Sequence, residues 1–175
     1  MVMSITVVGL LLAATVHAAD GEACRAMLQR TDGSPVRLVE DAGKPIVLFY
    51  EDRWSTALNQ DLKDDLYARG KANGMLEQVR IVAVANIQQY DFFPARGIAT
   101  AFIRGVESRV GVPILLDVRG TLSSPPMNLP ADGGTVVLLD AGCRETFRHS
   151  GKLGSAERER FFAALEAAMG RPAGG

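Results

Sequence analysis

Pro45-Ile46-Val47-Leu48-Phe49-Tyr50-Glu51-Asp52-Arg53-Trp54-Ser55-Thr56 is the stretch on which the fold turns. Its first half is an unbroken apolar run, the pattern of a central strand buried on both faces. Its second half is a polar loop that leads into a helix. Leu58, Leu62, Leu66 and Arg69 form one stripe of that helix, and Gly70 or Gly74 ends it. Upstream lie two turn clusters, Thr31-Asp32-Gly33-Ser34-Pro35 and Asp41-Ala42-Gly43-Lys44-Pro45. Between them Val36 to Val39 alternates as a half-buried edge strand.

Downstream, Val79 to Asn86 is a second buried strand. Asp91 to Pro94 opens a helix whose Ile98, Ala101, Phe102 and Val106 are predicted to face inward. Val112 to Leu116 is a strand, Asp117 to Gly120 a turn, and Ser123 to Gly134 an irregular loop containing Pro125, Pro126 and Pro130. Thr135 to Leu139 and Arg144 to His149 form a hairpin about the Asp140–Cys143 turn. Ser155 is expected to cap a last helix with Phe161, Leu165, Ala168 and Met169 on its apolar side. The order β-β-α-β-α-β-β-β-α implies an α/β sandwich of three layers, with a mixed, mainly parallel central sheet, helices on both faces and an antiparallel edge.

The chain has 175 residues, enough for one domain, and its 47% apolar and 22% charged content is that of an ordinary globule. A net charge of −1 without a basic run argues against a nucleic-acid partner. The first 19 residues, MVMSITVVGLLLAATVHAA, contain no Asp, Glu, Lys or Arg. The apolar run Ile5 to Val16 is shorter than the roughly 20 helical residues that span a bilayer. It ends in small residues, and Asp20-Gly21-Glu22 follows. This reads as a secretory signal cut after Ala18 or Ala19, although only the Met1 amine precedes the run as positive charge. The expected organisation is a signal peptide over 1–19, a lead over 20–30, a domain over 31–170 and a tail over 171–175. The mature protein would be periplasmic or secreted, with no stable membrane insertion.

Several short motifs, in order, resemble the thioredoxin-like superfamily, in particular exported redoxins and thiol reductases. Asp32-Gly33-Ser34-Pro35-Val36-Arg37-Leu38 with Gly43-Lys44-Pro45 matches the lead. Trp54 stands where a Trp usually precedes the first catalytic Cys. Pro113-Ile114-Leu115-Leu116-Asp117 with Gly120, and Thr135-Val136-Val137-Leu138-Leu139-Asp140 with Gly142 and Gly151, match the two later motifs. The resemblance implies a Cys-x-x-Cys pair at 55 and 58, where this chain has Ser55 and Leu58. It also implies a proline before the last hairpin, where this chain has Asp132-Gly133-Gly134-Thr135. A serine cannot carry out disulfide exchange. The resemblance is therefore strongest to a cysteine-less periplasmic branch, which implies a binding or adaptor module for a protein or peptide partner. The alternative is a thiol-disulfide oxidoreductase or peroxiredoxin-like protein that uses Cys24 and Cys143.

The candidate binding residues are Trp54, Ser55, Thr56, Gly133 and Gly134, placed where α/β sheets receive ligands. Ser55 is expected in the first turn of the helix, so a thiol substituted there should have a depressed pKa. Cys24 and Cys143 have three readings: a redox pair, a structural disulfide tying the lead to the last hairpin turn, or two unrelated thiols. Asp61, Asp64 and Asp65 read as favourable charge near a helix start and His149 as surface decoration. No metal or cofactor site is expected.

Overall fold

The structure, a computed structural model, describes residues 23–39 and 43–170. The signal, its cleavage site, the tail, and Asp41 and Ala42 of the second turn lie outside the described residues. The strands are β1 (Met27–Gln29), β2 (Pro35–Arg37), β3 (Ile46–Glu51), β4 (Arg80–Asn86), β5 (Ile114–Asp117), β6 (Thr135–Leu139) and β7 (Glu145–Ser150). The helices are α1 (Gln60–Asn73), α2 (Met75–Gln78), α3 (Ala95–Val110) and α4 (Ser155–Met169), with 3₁₀ turns at Ala23–Arg25 and Gln88–Tyr90. One sheet of seven strands runs β2-β1-β5-β4-β3-β6-β7, with β3, β4 and β5 parallel and the other pairings antiparallel.

Register separates the two faces. Val47, Phe49, Ala83, Ala85, Ile114, Leu116, Val136 and Leu138 share one face, because partners across a ladder point the same way. The steps β3–α1–β4 and β4–α3–β5 move in the same direction across the sheet, so right-handed crossovers put α1 and α3 on that same face. α1 and α4 bury Leu62, Leu66, Phe161 and Leu165 against Val47, Phe49, Val136 and Leu138. Phe147, Phe161 and Phe162 meet edge to face, and the Arg69 guanidinium stacks over Phe162 at 3.8 Å. The opposite face, with Ile46, Leu48, Tyr50, Val82 and Val84, is roofed by the 3₁₀ turn at Ala23–Arg25 and by Leu122, Met127 and Leu129 of the Pro-rich segment. Fully burying one such side chain contributes about 1.5–3 kcal/mol.

Three local expectations are corrected, and the expected end of α1 at Gly74 is met. β1 lies inside the segment read as a lead and pairs with both β2 and β5, so the sheet begins before residue 31. Gly74, at φ +71°, ends α1 but is followed by one further turn of helix, α2. Ser155 is the first residue inside α4. The cap position is Gly154, without a side-chain bond, and the Glu157 carboxylate serves this helix start by accepting its own backbone N–H, which holds its carboxyl below the usual value. In α3, Ile98 and Phe102 face the sheet but remain 66% and 64% exposed, and none of its residues is buried. Polar contacts flank it. Glu107 accepts the Thr31 hydroxyl at 2.5 Å and the Ile114 N–H at 3.1 Å, while Arg96 pairs with Asp91 at 2.8 Å near the other end.

Cys24 and Cys143 are joined as a disulfide, Cα atoms 6.0 Å apart, closing a separation of 119 residues. Both sulfurs lie in the core of the face opposite α1.

Candidate functional site

β3 delivers Glu51 and Asp52 to the carboxyl end of the parallel strands. Asp52 Oδ1 accepts three hydrogen bonds, from the N–H of Trp54 at 3.1 Å, the N–H of Ser55 at 2.9 Å and the Ser55 hydroxyl at 2.6 Å. Ser55 Oγ in turn accepts the N–H of Asp52 at 2.9 Å. Asp52 is 8% exposed and Ser55 1%. An aspartate that takes the N–H groups two and three residues ahead, while the hydroxyl three residues ahead accepts its own N–H, has the reciprocal bonding of a capping box. Residues 53–59 after it are a run of turns closed in three-residue steps, Leu58 N–H to the Ser55 carbonyl and Gln60 N–H to the Ala57 carbonyl, and the α-helix α1 begins at Gln60. Ser55 thus stands ahead of α1, not in its first turn, and the N–H groups of Trp54 and Ser55 that a ligand could use are already bonded to Asp52.

The surroundings close this knot further. Gly134, at φ +64°, lies against Ser55, and a Cβ there would stand 3.0 Å from Ser55 Cβ. Asn59 donates to the Gly151 carbonyl at 3.0 Å and accepts the Leu153 N–H at 2.9 Å, tying the start of α1 to the approach to α4. Asn86 donates to the Ala131 carbonyl at 2.8 Å, which docks the Pro-rich segment on the end of β4. Of the predicted residues, Ser55 and Gly134 are brought into contact. Gly133 is exposed in the turn before β6. Trp54 is 74% exposed beneath the Arg53 guanidinium, 4.9 Å from its ring, and Thr56 is exposed with its carbonyl accepting Lys63 Nζ at 3.0 Å.

Beside this segment a cavity of about 610 Å³ opens between α3 and the sheet. Its floor is Ala83 and Ala85 of β4, its roof Ile98, Ala99, Phe102 and Ile103 of α3, and its polar end Glu51, Asp52, Arg53 and Thr56. Alanines on the floor leave space that larger side chains would fill, and a volume of this size falls in the range of about 300–1,000 Å³ typical of ligand sites. Lys63 Nζ stands 2.8 Å from both oxygens of the half-buried Glu51 carboxylate, a chelated ion pair at the polar end of the cavity. Burial, and secondarily the Asp52 charge, push the Glu51 carboxyl above its ordinary value, against the pull of Lys63. Of the candidate binding residues Thr56 lines this cavity, and Ile98, Phe102 and Val106 were expected to face inward; Ala83, Ala85 and Ala99 were not singled out. The signal available for them was alanine at consecutive same-face positions of β4, facing Ala95 and Ala99.

The remaining singled-out residues lie elsewhere. Asp61 pairs with Arg158 at 3.1 Å and Lys152 at 3.7 Å, and Asp65 with Arg158 at 3.6 Å, binding α1 to α4. His149 Nε2 contacts the Lys152 carbonyl at 3.2 Å on the exposed edge. On the opposite face Tyr50 donates to Asp117 Oδ2 at 3.1 Å. The same carboxylate accepts the N–H groups of Thr121 and Leu122, which explains the Asp117–Gly120 motif as a turn. The disulfide sits at the other pole. Tyr50 pairs with Thr135 beside Ser55, and Ile46 with Leu139 before Cys143, so about 13 Å of strand separates the two ends.

No protein-family model matches the chain, and no curated protein matches it in sequence. Solved structures do match in shape. One is a protein assigned as the thiol:disulfide interchange protein DsbE of Chlorobium tepidum, at 19% identity and a TM-score of 0.58 over 82% of this chain and 92% of that one. Another is the exposed lipoprotein thioredoxin of Streptococcus pneumoniae, at 15% identity and 0.58, over 81% and 97%. A third is a secreted Mycobacterium tuberculosis disulfide oxidoreductase homologous to E. coli DsbE, at 16% identity and 0.55, over 84% and 98%. With the strand order, the crossovers and the site at the end of β3, these likenesses establish that the chain has the thioredoxin-like fold.

Proposed function

We propose that this chain is an exported, non-catalytic thioredoxin-like binding domain that uses the end of β3, where the sequence resemblance implies a reactive pair, to hold a partner. The observation that carries this reading is the sealing of Ser55. Its hydroxyl is buried, bonded to Asp52 and covered by Gly134, so it offers neither a thiolate nor an accessible nucleophile. Exposed Trp54 under Arg53, beside a largely apolar cavity, suits an aromatic contact with a protein or peptide. Export is supported by the uncharged apolar leader and by neighbours described as secreted or exposed.

A second reading, a thiol-disulfide oxidoreductase that cycles Cys24 and Cys143, draws on those redox neighbours and on the disulfide itself. Against it stand the burial of both cysteines and their distance from the β3 end.

Site-specific photo-crosslinking tests the binding reading. A photoreactive residue at Trp54 should give a discrete adduct in the exporting cell, and one at exposed Arg37 on the far edge should not. Equal labelling at both positions, or none at 54, would refute the assignment of the binding face.

A further inference from the structure

We propose that α3 docks antiparallel against α3 of a second copy of this chain, Ile98 of each copy facing Phe102 of the other, so that the two copies cover each other's open apolar face. Trp54 does not line the cavity beside that face. The inference therefore goes beyond the binding reading and leaves the β3 end to its own partner.

The first observation is how much of α3 is uncovered. α1 buries Leu62 and Leu66, and α4 buries Phe161, Phe162 and Leu165, yet the 16 residues of α3 include no buried one. Among the described residues, six of the ten exposed large hydrophobics lie on α3 or within three positions of its ends: Phe92, Phe93, Ile98, Phe102, Val110 and Val112. An amphipathic helix ordinarily packs its apolar stripe, and leaving it to water is unfavourable. The area is that of an interface. Phe92, Phe93 and Phe102, exposed at 61, 96 and 64%, offer on the order of 450 Å² if each side chain presents roughly 150–250 Å². Ile98, Val110 and Val112 extend this toward the roughly 800 Å² that each partner gives to a standard interface.

The second observation is that the face complements itself. Setting Ile98 opposite Phe102 about a two-fold axis centres the contact on position 100. Asp91, before the helix, and Arg109, in its last turn, are both exposed, and each lies 9 positions from that centre (100 − 91 and 109 − 100). The antiparallel arrangement therefore brings the Asp91 end of one copy to the Arg109 end of the other. Arg96 engages Asp91 Oδ1, so Oδ2 can accept from Arg109 of the second copy. Phe92 and Phe93 come in the same way to Val110 and Val112. An isologous contact requires this relation, one patch in which each feature meets its complement across the axis. A parallel pairing would instead set Asp91 beside Asp91 and Arg109 beside Arg109. Glu107 stands about 140° round the helix from Phe102 and is used within the chain, by Thr31 and Ile114. The contact accordingly falls on the edge of α3 that carries Ile98 and Phe102.

The test is sedimentation equilibrium of the protein purified from the exporting cell. The expected result is a reversible dimer with a Kd of about 1–50 μM, read over a series reaching about 100 μM. Phe102→Glu, which sets two carboxylates near the axis, should weaken the dimer at least about hundredfold while the circular dichroism of the fold is kept. Ile98→Glu provides the same test if Phe102→Glu does not fold. Arg109→Asp should weaken the dimer several-fold, and Asp91→Arg added to the same chain should restore it, which an apolar face without this register would not do. A monomer at the top of the series would overturn the inference and leave the face to residues 1–22 or to a foreign apolar partner. A dimer undiminished in a folded glutamate variant, or a charge swap that fails to restore what Arg109→Asp removes, would overturn it as well.

Discussion

Ser55 Oγ donates to Asp52 Oδ1 at 2.6 Å, and both groups are buried. The motifs of the sequence resemblance imply a reactive thiol at this position, at the end of the central strand. Here the hydroxyl is one member of a closed ring of four hydrogen bonds that also takes up the N–H groups of Asp52, Trp54 and Ser55. The arrangement spends the polar capacity of the segment on itself, ahead of α1, which begins at Gln60.

A thiol introduced by Ser55→Cys should therefore have a pKa above the free value of about 8.5, not below it. Burial and the Asp52 carboxylate both disfavour the thiolate, and no α-helix start is present to offset them. The native cysteines are bonded to each other and do not interfere. The pH dependence of iodoacetamide labelling measures this, and a depressed pKa would show that the buried Asp52–Ser55 bonds are absent in solution.

Gly134→Ala should destabilise the fold by about 1–3 kcal/mol, because φ is +64° and the new Cβ meets Ser55 Cβ at 3.0 Å. Gly133→Ala has a similar φ of +78° but nothing within 4 Å, so it should cost less. Urea midpoints of the two variants compare the contact with the conformational penalty.

Much of this was legible from short-range patterns. The run Ile46 to Tyr50 declared a central strand, the Asp117–Gly120 motif a turn, and the Thr135–Leu139 segment the first strand of the closing hairpin. What escaped depended on competition or on distance. β1 is three residues long, too short for any periodicity to register. The start of α1 moved because residues 55–60 close in three-residue steps, Leu58 N–H to the Ser55 carbonyl and Gln60 N–H to the Ala57 carbonyl, which the apolar stripe does not distinguish from α-helix. The apolar stripe of α3 told which side faces the sheet but not how far the helix stands from it. Its tie to the β1–β2 turn, Glu107 accepting the Thr31 hydroxyl, joins residues 76 apart in sequence.

Glu51→Gln should stabilise the protein at neutral pH. The folded-state carboxyl lies above its ordinary value of 4.5 because of burial, so the native state binds the proton more tightly than the unfolded chain. Stability from this group is present below pH 4.5 and is lost as pH rises through the folded value. The advantage of the variant should shrink as pH falls toward that range. Paired thermal melts across pH 4 to 8 test the sign, and an advantage that grows on acidification would contradict it.

Reducing the Cys24–Cys143 bond should cost about 4–5 kcal/mol in the loop-closure account, given the 119-residue separation. Denaturant curves with and without reductant give the difference. Alkylation of the denatured, unreduced protein should label neither cysteine, and two labelled thiols would show that the bond does not form.

The central claim is that the end of β3 has been closed to thiol chemistry and serves binding instead. Insulin reduction by dithiothreitol, followed with and without the purified protein, tests it most directly. The account predicts a rate indistinguishable from the uncatalysed one, for the native protein and for a Cys24→Ser, Cys143→Ser variant alike. Catalysis above that background, lost on Cys143→Ser, would contradict it and assign the chemistry to the disulfide at the opposite pole.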